Sequence, residues 1–329
     1  MNLPAGTCKI AALAVALTSM TAFGEDLKIG IIGLDTSHVT AFTKILNDAN
    51  APNHVPGAKV VAAFKSASAD IPSSASRVEE YTATLEKDFG VKIVGSIEEL
   101  CTQVDCILLE SVDGRPHLEQ ARPVIAAKKR LFIDKPFAGT LHDALEIQRL
   151  AREADLPIFS SSAYRYYPGL VELKQTNVGE IRGALSYGPA HLEEHHPDLF
   201  WYGIHPTEAL FTVLGMGCES AVRTHTADTD MVTGIWSGGR TGVLYGLRTK
   251  PLPHKVTVFG TNASAEQKPG GDDYAPLVRE IVEFFKTGIA PVSIEETIEI
   301  YAFMEAADES KRRNGQPVKL SEVLEKARK

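Results

Sequence analysis

The chain is poor in several features that would assign it to a class at once. Its 329 residues include only four cysteines and two tryptophans, and aromatic residues make up 7%. No Cys-x-x-Cys pair occurs, and Cys101, Cys106 and Cys218 have apolar neighbours, so we expect buried packing thiols. The fourth cysteine, Cys8, lies in an N-terminal segment that we expect to be removed. The three that remain are an odd number, so a disulfide framework is not expected for the mature chain.

Basic clusters and long apolar runs are equally scarce. The formal net charge is -8 and no Lys/Arg block stands out, which argues against nucleic acid as a partner. The apolar run Ile10–Leu17 is too short to span a bilayer, and Ala22-Phe23-Gly24 has the small-x-small pattern of a cleavage site. We expect residues 1–24 to be a signal peptide that exports the protein to the periplasm or beyond, without membrane attachment after cleavage; a buried first helix is the alternative.

Strand-like and helix-like patterns alternate in the first half of the mature chain. Helical spacing at residues 37–50, 117–128 and 140–154 separates apolar strands, which indicates βαβ units and a parallel sheet. The predicted strands are 27–33, 59–64, 91–94, 105–109, 130–133 and 156–159.

Beyond about residue 160 the strands follow one another without intervening helices. They are predicted at 182–187, 221–227, 231–236, 242–248 and 255–259, with helices at 204–214, 276–286 and 294–311. This order is typical of an α+β domain on a largely antiparallel open sheet. The expected fold class is therefore α/β, with a Rossmann-type nucleotide-binding domain at 25–160 and a substrate and oligomerisation domain at 161–329.

The turn after the first strand departs from the Gly-x-Gly-x-x-Gly pattern of dinucleotide sites. Gly33 keeps the first glycine, but Asp35 and His38 replace the second and third. A carboxylate here would repel a pyrophosphate. Two interpretations follow: Asp35, Thr36 or Ser37 caps the next helix, or this turn lines an altered cofactor cleft.

Two further strand ends carry polar residues. Lys65 and Ser66 follow the second strand, where an acid usually binds the adenosine ribose, and this favours NADP over NAD. An ordinary solvated lysine is the alternative. Glu110 and Ser111 follow the fourth strand and are candidate cofactor contacts, while Arg115 is a candidate substrate contact; a capped strand–helix turn is the alternative.

Several short motifs, in this order, resemble the glucose-fructose oxidoreductase/inositol dehydrogenase (Gfo/Idh/MocA) family. They are Asp134-Lys135-Pro136, Tyr164-Arg165-Tyr166-Tyr167-Pro168, Val178-Gly179-Glu180-Ile181 and Gly203-Ile204-His205. The resemblance covers roughly residues 26–310. It implies NAD- or NADP-dependent oxidation or reduction of a sugar, polyol or glycoside hydroxyl, and a homo-oligomer.

The resemblance also implies roles for single residues. Lys135 would contact both cofactor and substrate, and His205 would act as acid/base. Tyr164 and Arg165 are candidate substrate residues. Where the family often has an acid four residues before the histidine, this chain has Trp201, which offers a stacking face for a sugar ring.

A dense ionisable cluster precedes Trp201. His191, Glu193, His195 and His196 fall within six residues, and these side-chain types are good metal ligands, although the spacing matches no standard motif. A polar substrate loop, in which His195 or His196 replaces the missing acid, is the preferred interpretation, and a metal site is the alternative.

Three functions remain open from the sequence. A nicotinamide-dependent dehydrogenase is preferred on the weight of the family resemblance; it explains Lys135, His205 and the overall architecture but leaves the altered first turn and the export signal unexplained. A non-redox lyase or hydratase of a keto-sugar, with or without a metal, explains those features together. A carbohydrate-binding module without catalysis is the third, and the many ionisable groups disfavour it.

Overall fold

A computed structural model describes residues 25–250, 253–271 and 273–329. The predicted signal peptide lies outside these residues. Among the described residues, no helix is both long enough and apolar enough to cross a membrane. Their cysteines, Cys101, Cys106 and Cys218, are free and buried, as predicted.

The first sheet is parallel and has six strands in the order β3-β2-β1-β4-β5-β6. Its chain order crosses over beside β1, which opens a crevice at the carboxyl ends of β1 and β4. The strands are β1 Leu27–Ile32, β2 Ala58–Phe64, β3 Lys92–Val94, β4 Cys106–Leu109, β5 Arg130–Ile133 and β6 Ile158–Phe159. The helices are α1 Ser37–Asn47, α2 Pro72–Ala75, α3 Val78–Phe89, α4 Ile97–Gln103, α5 His117–Ala126 and α6 Leu141–Glu153.

The second sheet has seven strands in the order β12-β11-β7-β10-β9-β8-β13. It is largely antiparallel, as predicted, but β7 and β10 pair in parallel. The strands are β7 Ile181–Pro189, β8 Cys218–His225, β9 Thr229–Trp236, β10 Arg240–Leu247, β11 Lys255–Gly260, β12 Ser264–Glu266 and β13 Val318–Lys319. The helices are α7 Pro168–Gln175, α8 Ile204–Leu214, α9 Ala275–Thr287, α10 Ile294–Arg312 and α11 Leu320–Ala327.

Helix α9 returns to the first sheet although it follows the second sheet in the chain. Its residues Leu277, Ile281 and Phe284 share a buried cluster with β1 residues, and the Phe284 ring lies 5.7 Å from that of Phe159. The first layer is thus completed by residues far beyond position 160, because α9 covers apolar surface that the first 160 residues leave open.

Candidate functional site

A cavity of about 320 Å³ lies at the carboxyl edge of the first sheet. This volume is near the lower end of the usual range for small-ligand sites, roughly 300–1,000 Å³. Loops after β1 and β5 form one side of the cavity, and residues after β6 and around α8 form the other. Its polar and aromatic lining includes Thr36, Ser37, His38, Ser73, Arg77, Lys135, Ser162, Tyr164, Tyr167, Trp201, Tyr202, His205, His254 and Tyr274.

The turn after β1 makes hydrogen bonds to other parts of the protein and leaves no open site for a phosphate. Gly33 takes a φ of +84°, and a Cβ here would lie 2.3 Å from the Ser111 hydroxyl, so glycine is required. Asp35 is fully buried; it accepts hydrogen bonds from the Val112 amide (2.9 Å) and the Ser74 hydroxyl (2.5 Å). Burial raises the pKa of Asp35 above its ordinary value.

The capping interpretation of this turn holds for one residue only. Thr36 is the N-cap of α1, and its hydroxyl accepts a hydrogen bond from the His38 amide at 3.5 Å. Ser37 opens the helix and lines the cavity. Asp35 does not cap α1, because its carboxylate reaches across to the loop after β4.

Residues 65–77, here called the crossing segment, lie against the loop after β4. The Ser68 hydroxyl donates to Asp113 at 2.5 Å, and the Gln120 amide donates to the Ser66 hydroxyl at 3.1 Å. Arg115 makes two 2.8 Å hydrogen bonds to the carboxylate of Asp70. Direct hydrogen bonds therefore join the two loops that would flank the adenosine half of a dinucleotide in a Rossmann domain.

Three sequence-predicted contacts are consequently engaged elsewhere. Lys65 pairs with Glu79 on α3 at 2.6 Å. The Ser111 hydroxyl donates to Gln120 at 3.0 Å. Arg115, expected to contact substrate, does not line the cavity, because Asp70 and Asp113 hold its guanidinium.

Three ionisable groups meet at the ends of β4, β5 and the start of α1. His38 Nδ1 lies 2.7 Å from Asp134 Oδ2 and 3.9 Å from Glu110 Oε2. All three residues are buried. Burial and the neighbouring charge of Asp134 raise the pKa of Glu110 well above its ordinary value. At Asp134, burial also raises the pKa, but the positive charges of His38 and Lys135 outweigh it and lower the pKa to about 2.

Lys135 and His205, the two residues expected to carry catalysis, both line the cavity. Lys135 follows β5 and precedes a cis peptide bond to Pro136. His205 stands in the first turn of α8, and its Nδ1 lies 2.7 Å from the Ser162 hydroxyl. With Nδ1 so engaged, a ligand in the cavity meets Nε2.

Burial lowers the pKa of His205 well below its ordinary value, and the positive charge of Lys135 adds to the effect. The imidazole is therefore neutral near neutral pH and able to accept a proton. An ammonium beside a neutral imidazole is a pair suited to stabilising an oxyanion while a proton moves.

Aromatic residues complete the lining, and two of them were predicted from the sequence. Trp201 lines the cavity in place of the usual acid, and Tyr164 lines it with its hydroxyl donated to Gln267 at 2.5 Å. His254 was missed: its ring lies 4.4 Å from Tyr164 and 6.0 Å from His205. No local motif marks His254, which precedes an ordinary strand.

Arg165 and His196, two other sequence-predicted residues, lie outside the cavity lining. Arg165 is buried in ion pairs with Glu208 and Glu296, each at 2.7 Å. His196 is also buried; its Nε2 lies 3.2 Å from the Gly114 amide and 3.1 Å from Asp113.

The histidine and glutamate side chains of residues 191–196 do not come together at one site. His195 pairs with Glu193 at 2.7 Å and faces Asp70 at 3.5 Å, while His191 packs against the Tyr202 ring at 5.3 Å. Among the described residues, the group with metal-ligand spacing is instead His38, Glu110 and Asp134. Neither His195 nor His196 stands beside His205 in the cavity lining.

The fold and the cavity define a Rossmann-type protein with a ligand site at the carboxyl edge of its parallel sheet. Residues 27–161 match the model of the Gfo/Idh/MocA oxidoreductase family with an NAD-binding Rossmann fold. This match covers the first domain and confirms the resemblance seen in the sequence. A comparison with curated proteins found no match.

Solved structures agree with the fold over nearly the whole chain. A probable dehydrogenase from Thermotoga maritima superposes with a TM-score of 0.76 at 19% identity, covering 90% of this chain and 100% of that one. Myo-inositol dehydrogenase from Lactobacillus casei, in complex with NAD(H) and myo-inositol, gives 0.73 at 16% identity, with 90% and 97% covered. An Agrobacterium radiobacter oxidoreductase with NAD⁺, L-tartaric acid and magnesium gives 0.72 at 16%, with 91% and 100% covered.

The family implies an NAD cofactor, and the crevice can be tested for its fit. An extended dinucleotide passes the first turn and reaches its adenosine ribose at the end of the second strand. Here the buried Asp35 carboxylate and the hydrogen bonds of the crossing segment to Asp113 and Arg115 occupy that path. The residues present do not fit an extended dinucleotide, whereas the cavity beside Lys135 is open.

Proposed function

We propose that this protein converts a keto-sugar by proton transfer in the cavity beside Lys135 and His205, as a lyase or hydratase on an oxidoreductase-family fold. The single observation that carries the proposal is the pairing of an open cavity with a closed adenosine crevice. Aromatic faces such as Trp201 suit a sugar ring. A reaction without a soluble dinucleotide also suits export, which we propose from residues 1–24.

The cavity contains the groups that such a reaction needs. A carbonyl group acidifies the neighbouring C–H bond, and neutral His205 takes that proton; the C–H electron pair forms a C=C bond while the carbonyl π pair moves to the oxygen. The Lys135 ammonium stabilises the resulting enolate. When the carbonyl reforms, a hydroxyl or alkoxyl group leaves the next carbon with its bonding pair and takes the proton from His205.

A second candidate is NAD(P)-dependent oxidation or reduction of a sugar, polyol or glycoside hydroxyl. The match of the first domain to an oxidoreductase family and the position of Lys135 beside the cavity favour it. This reaction would require the crossing segment to leave the loop after β4, breaking the Ser68–Asp113 and Asp70–Arg115 contacts.

Cofactor content separates the two candidates. The protein, purified without added nucleotide, is denatured and the released small molecules are assayed for nicotinamide; the native protein is titrated with NAD(H) and NADP(H) by tryptophan fluorescence. We expect no bound nicotinamide and no saturable binding in the micromolar range. Near-stoichiometric nicotinamide would overturn the proposal in favour of the dehydrogenase.

A further inference from the structure

The three residues at the ends of β4, β5 and the start of α1 have the composition of a metal site. One imidazole and two carboxylates, from His38, Glu110 and Asp134, bring their ligand atoms within 4.8 Å of one another. Ligands at about 2.0–2.2 Å from a shared ion are at most about 4.4 Å apart, so contraction by a few tenths of an ångström closes the set.

Unpartnered buried oxygens point independently to a missing ligand. Glu110 is fully buried, and neither of its carboxylate oxygens has a hydrogen-bond partner among the described residues. Asp134 Oδ1 is in the same state, and Asp134 is 1% exposed. Buried carboxylates ordinarily pair, hydrogen-bond or coordinate metals, and nothing else in the described structure satisfies these oxygens.

The imidazole is held in place for this role. The His38 ring stacks on Phe42 at 5.1 Å and meets the edge of Tyr274 at 4.7 Å. His38 occupies the third glycine position of a dinucleotide turn, so the same substitution that departs from the nucleotide pattern supplies a ligand.

We propose that His38, Glu110 and Asp134 bind one divalent transition-metal ion, of which Mn²⁺ and Zn²⁺ match the ligand set. Mixed imidazole and carboxylate ligands suit these ions, and two carboxylates balance a double positive charge. Three protein ligands leave coordination positions open, which is typical of catalytic rather than structural sites.

The role of the ion in turnover rests on the proposed function, but its binding does not. His38 lines the cavity that also holds Lys135 and His205, and through His38 the ion would border the space that a sugar occupies. An ion there polarises the carbonyl group of a keto-sugar and strengthens the acidity that His205 exploits.

The test uses Mn²⁺ and Zn²⁺ as probes on chelator-treated protein. Free Mn²⁺ is counted by electron paramagnetic resonance, Zn²⁺ by calorimetry, and thermal unfolding is followed with and without each ion. We expect one ion per chain and a higher unfolding temperature on binding. Wild-type protein that binds neither ion at millimolar concentration would overturn the site.

Variants locate the ion. Glu110→Gln and His38→Gln should each weaken binding at least 10-fold and abolish the ion-dependent rise in unfolding temperature. Glu194→Gln, in the histidine-rich loop, is the matched control and should bind as the wild type does. Equal binding by Glu110→Gln and the wild type would contradict the assignment. Glu110→Gln removes only a buried charge and should fold; if it does not, His38→Gln provides the same test.

Two outcomes separate this inference from the proposed function. If the ion binds but no keto-sugar is turned over, the metal site stands and the proposed function fails. If chelator-treated protein turns over a keto-sugar at the full rate, the proposed function stands and the catalytic role of the ion fails.

Discussion

At the scale of single residues, the chemistry of the cavity depends on which buried side chains carry a charge. Lys135 brings a positive charge to a region that contains Glu110 and Asp134, and it acts with burial to keep His205 neutral. Neither His195 nor His196, the two candidates to replace the missing acid before His205, lines the cavity. We therefore propose that His205 transfers the proton and that Lys135 is its electrostatic partner.

Removing the ammonium should slow turnover without unfolding the protein. Lys135→Met should lower kcat by about 10²–10³ with a smaller change in KM, because an oxyanion contact acts mainly in the transition state. Lys87→Met, an exposed lysine on α3, is the control. Equal kcat values for wild type and Lys135→Met would remove Lys135 from the reaction.

The acid limb of the pH–rate profile should report His205. Because its pKa lies below the ordinary value of 6.5, the imidazole stays neutral as the pH falls through 6.5, and it is protonated only at lower pH. We expect kcat/KM on a keto-sugar to remain flat from pH 7.5 to 6.5 and to fall below that. A half-maximal rate at pH 6.5 or above would contradict this assignment.

Sequence reasoning at this scale identified residues with strong local context. Lys135 and His205 lie in recognisable motifs, and Trp201 and Tyr164 follow from the same alignment of motifs. His38 contacts Asp134, which lies 96 residues further along the chain, and the His254 ring lies near His205, about 50 residues away in sequence. No local sequence pattern indicates either contact. Arg165 and Arg115 lie outside the cavity lining, and each has an acidic partner distant in the chain, Glu296 and Asp70, that no local pattern indicates.

At the scale of elements, the crossing segment and α9 explain how a nucleotide-binding fold gains a different cavity. The crossing segment closes one end of the crevice through Ser68, Asp70 and Ser74. The parallel strands were predictable because each is a short apolar run, whereas the two-residue strand β13 and the short strand β12 have no periodicity to detect.

The packing of α9 on the first sheet should contribute strongly to stability. Phe284 is fully buried, so Phe284→Ala should lower the free energy of unfolding by about 3–5 kcal/mol. Ile289, just after the helix and 76% exposed, is the control. Ile289→Ala should change the free energy of unfolding by less than about 0.5 kcal/mol. Urea unfolding measures both; a loss below about 1 kcal/mol for Phe284→Ala would contradict this packing.

At the scale of the whole molecule, one face of the second sheet is apolar and exposed. Met231, Ile235, Tyr245 and Phe259 are 37–46% exposed, and Met231 pairs directly with Tyr245 across β9 and β10. Contiguous apolar surface on a sheet face marks an interaction site. We therefore propose a homo-oligomer formed through this face.

Charge on that face should dissociate the assembly. Met231→Glu combined with Ile235→Glu places carboxylates in the interface, and we expect light scattering to show a monomer where the wild type is a dimer or larger. Val171→Glu, on α7 and equally exposed, is the control and should leave the mass unchanged. A monomeric wild type would refute the proposed interface.

The most direct test of the account is solvent exchange at a sugar carbon. Chelator-free, nicotinamide-free protein is mixed with a panel of keto-glucosides in D₂O, and proton NMR follows the hydrogen next to the carbonyl group. We predict deuterium incorporation or elimination by the wild type, without added dinucleotide, and none by His205→Asn. No change without dinucleotide, together with sugar oxidation or reduction once NAD(H) or NADP(H) is supplied, would contradict the account and identify a dehydrogenase.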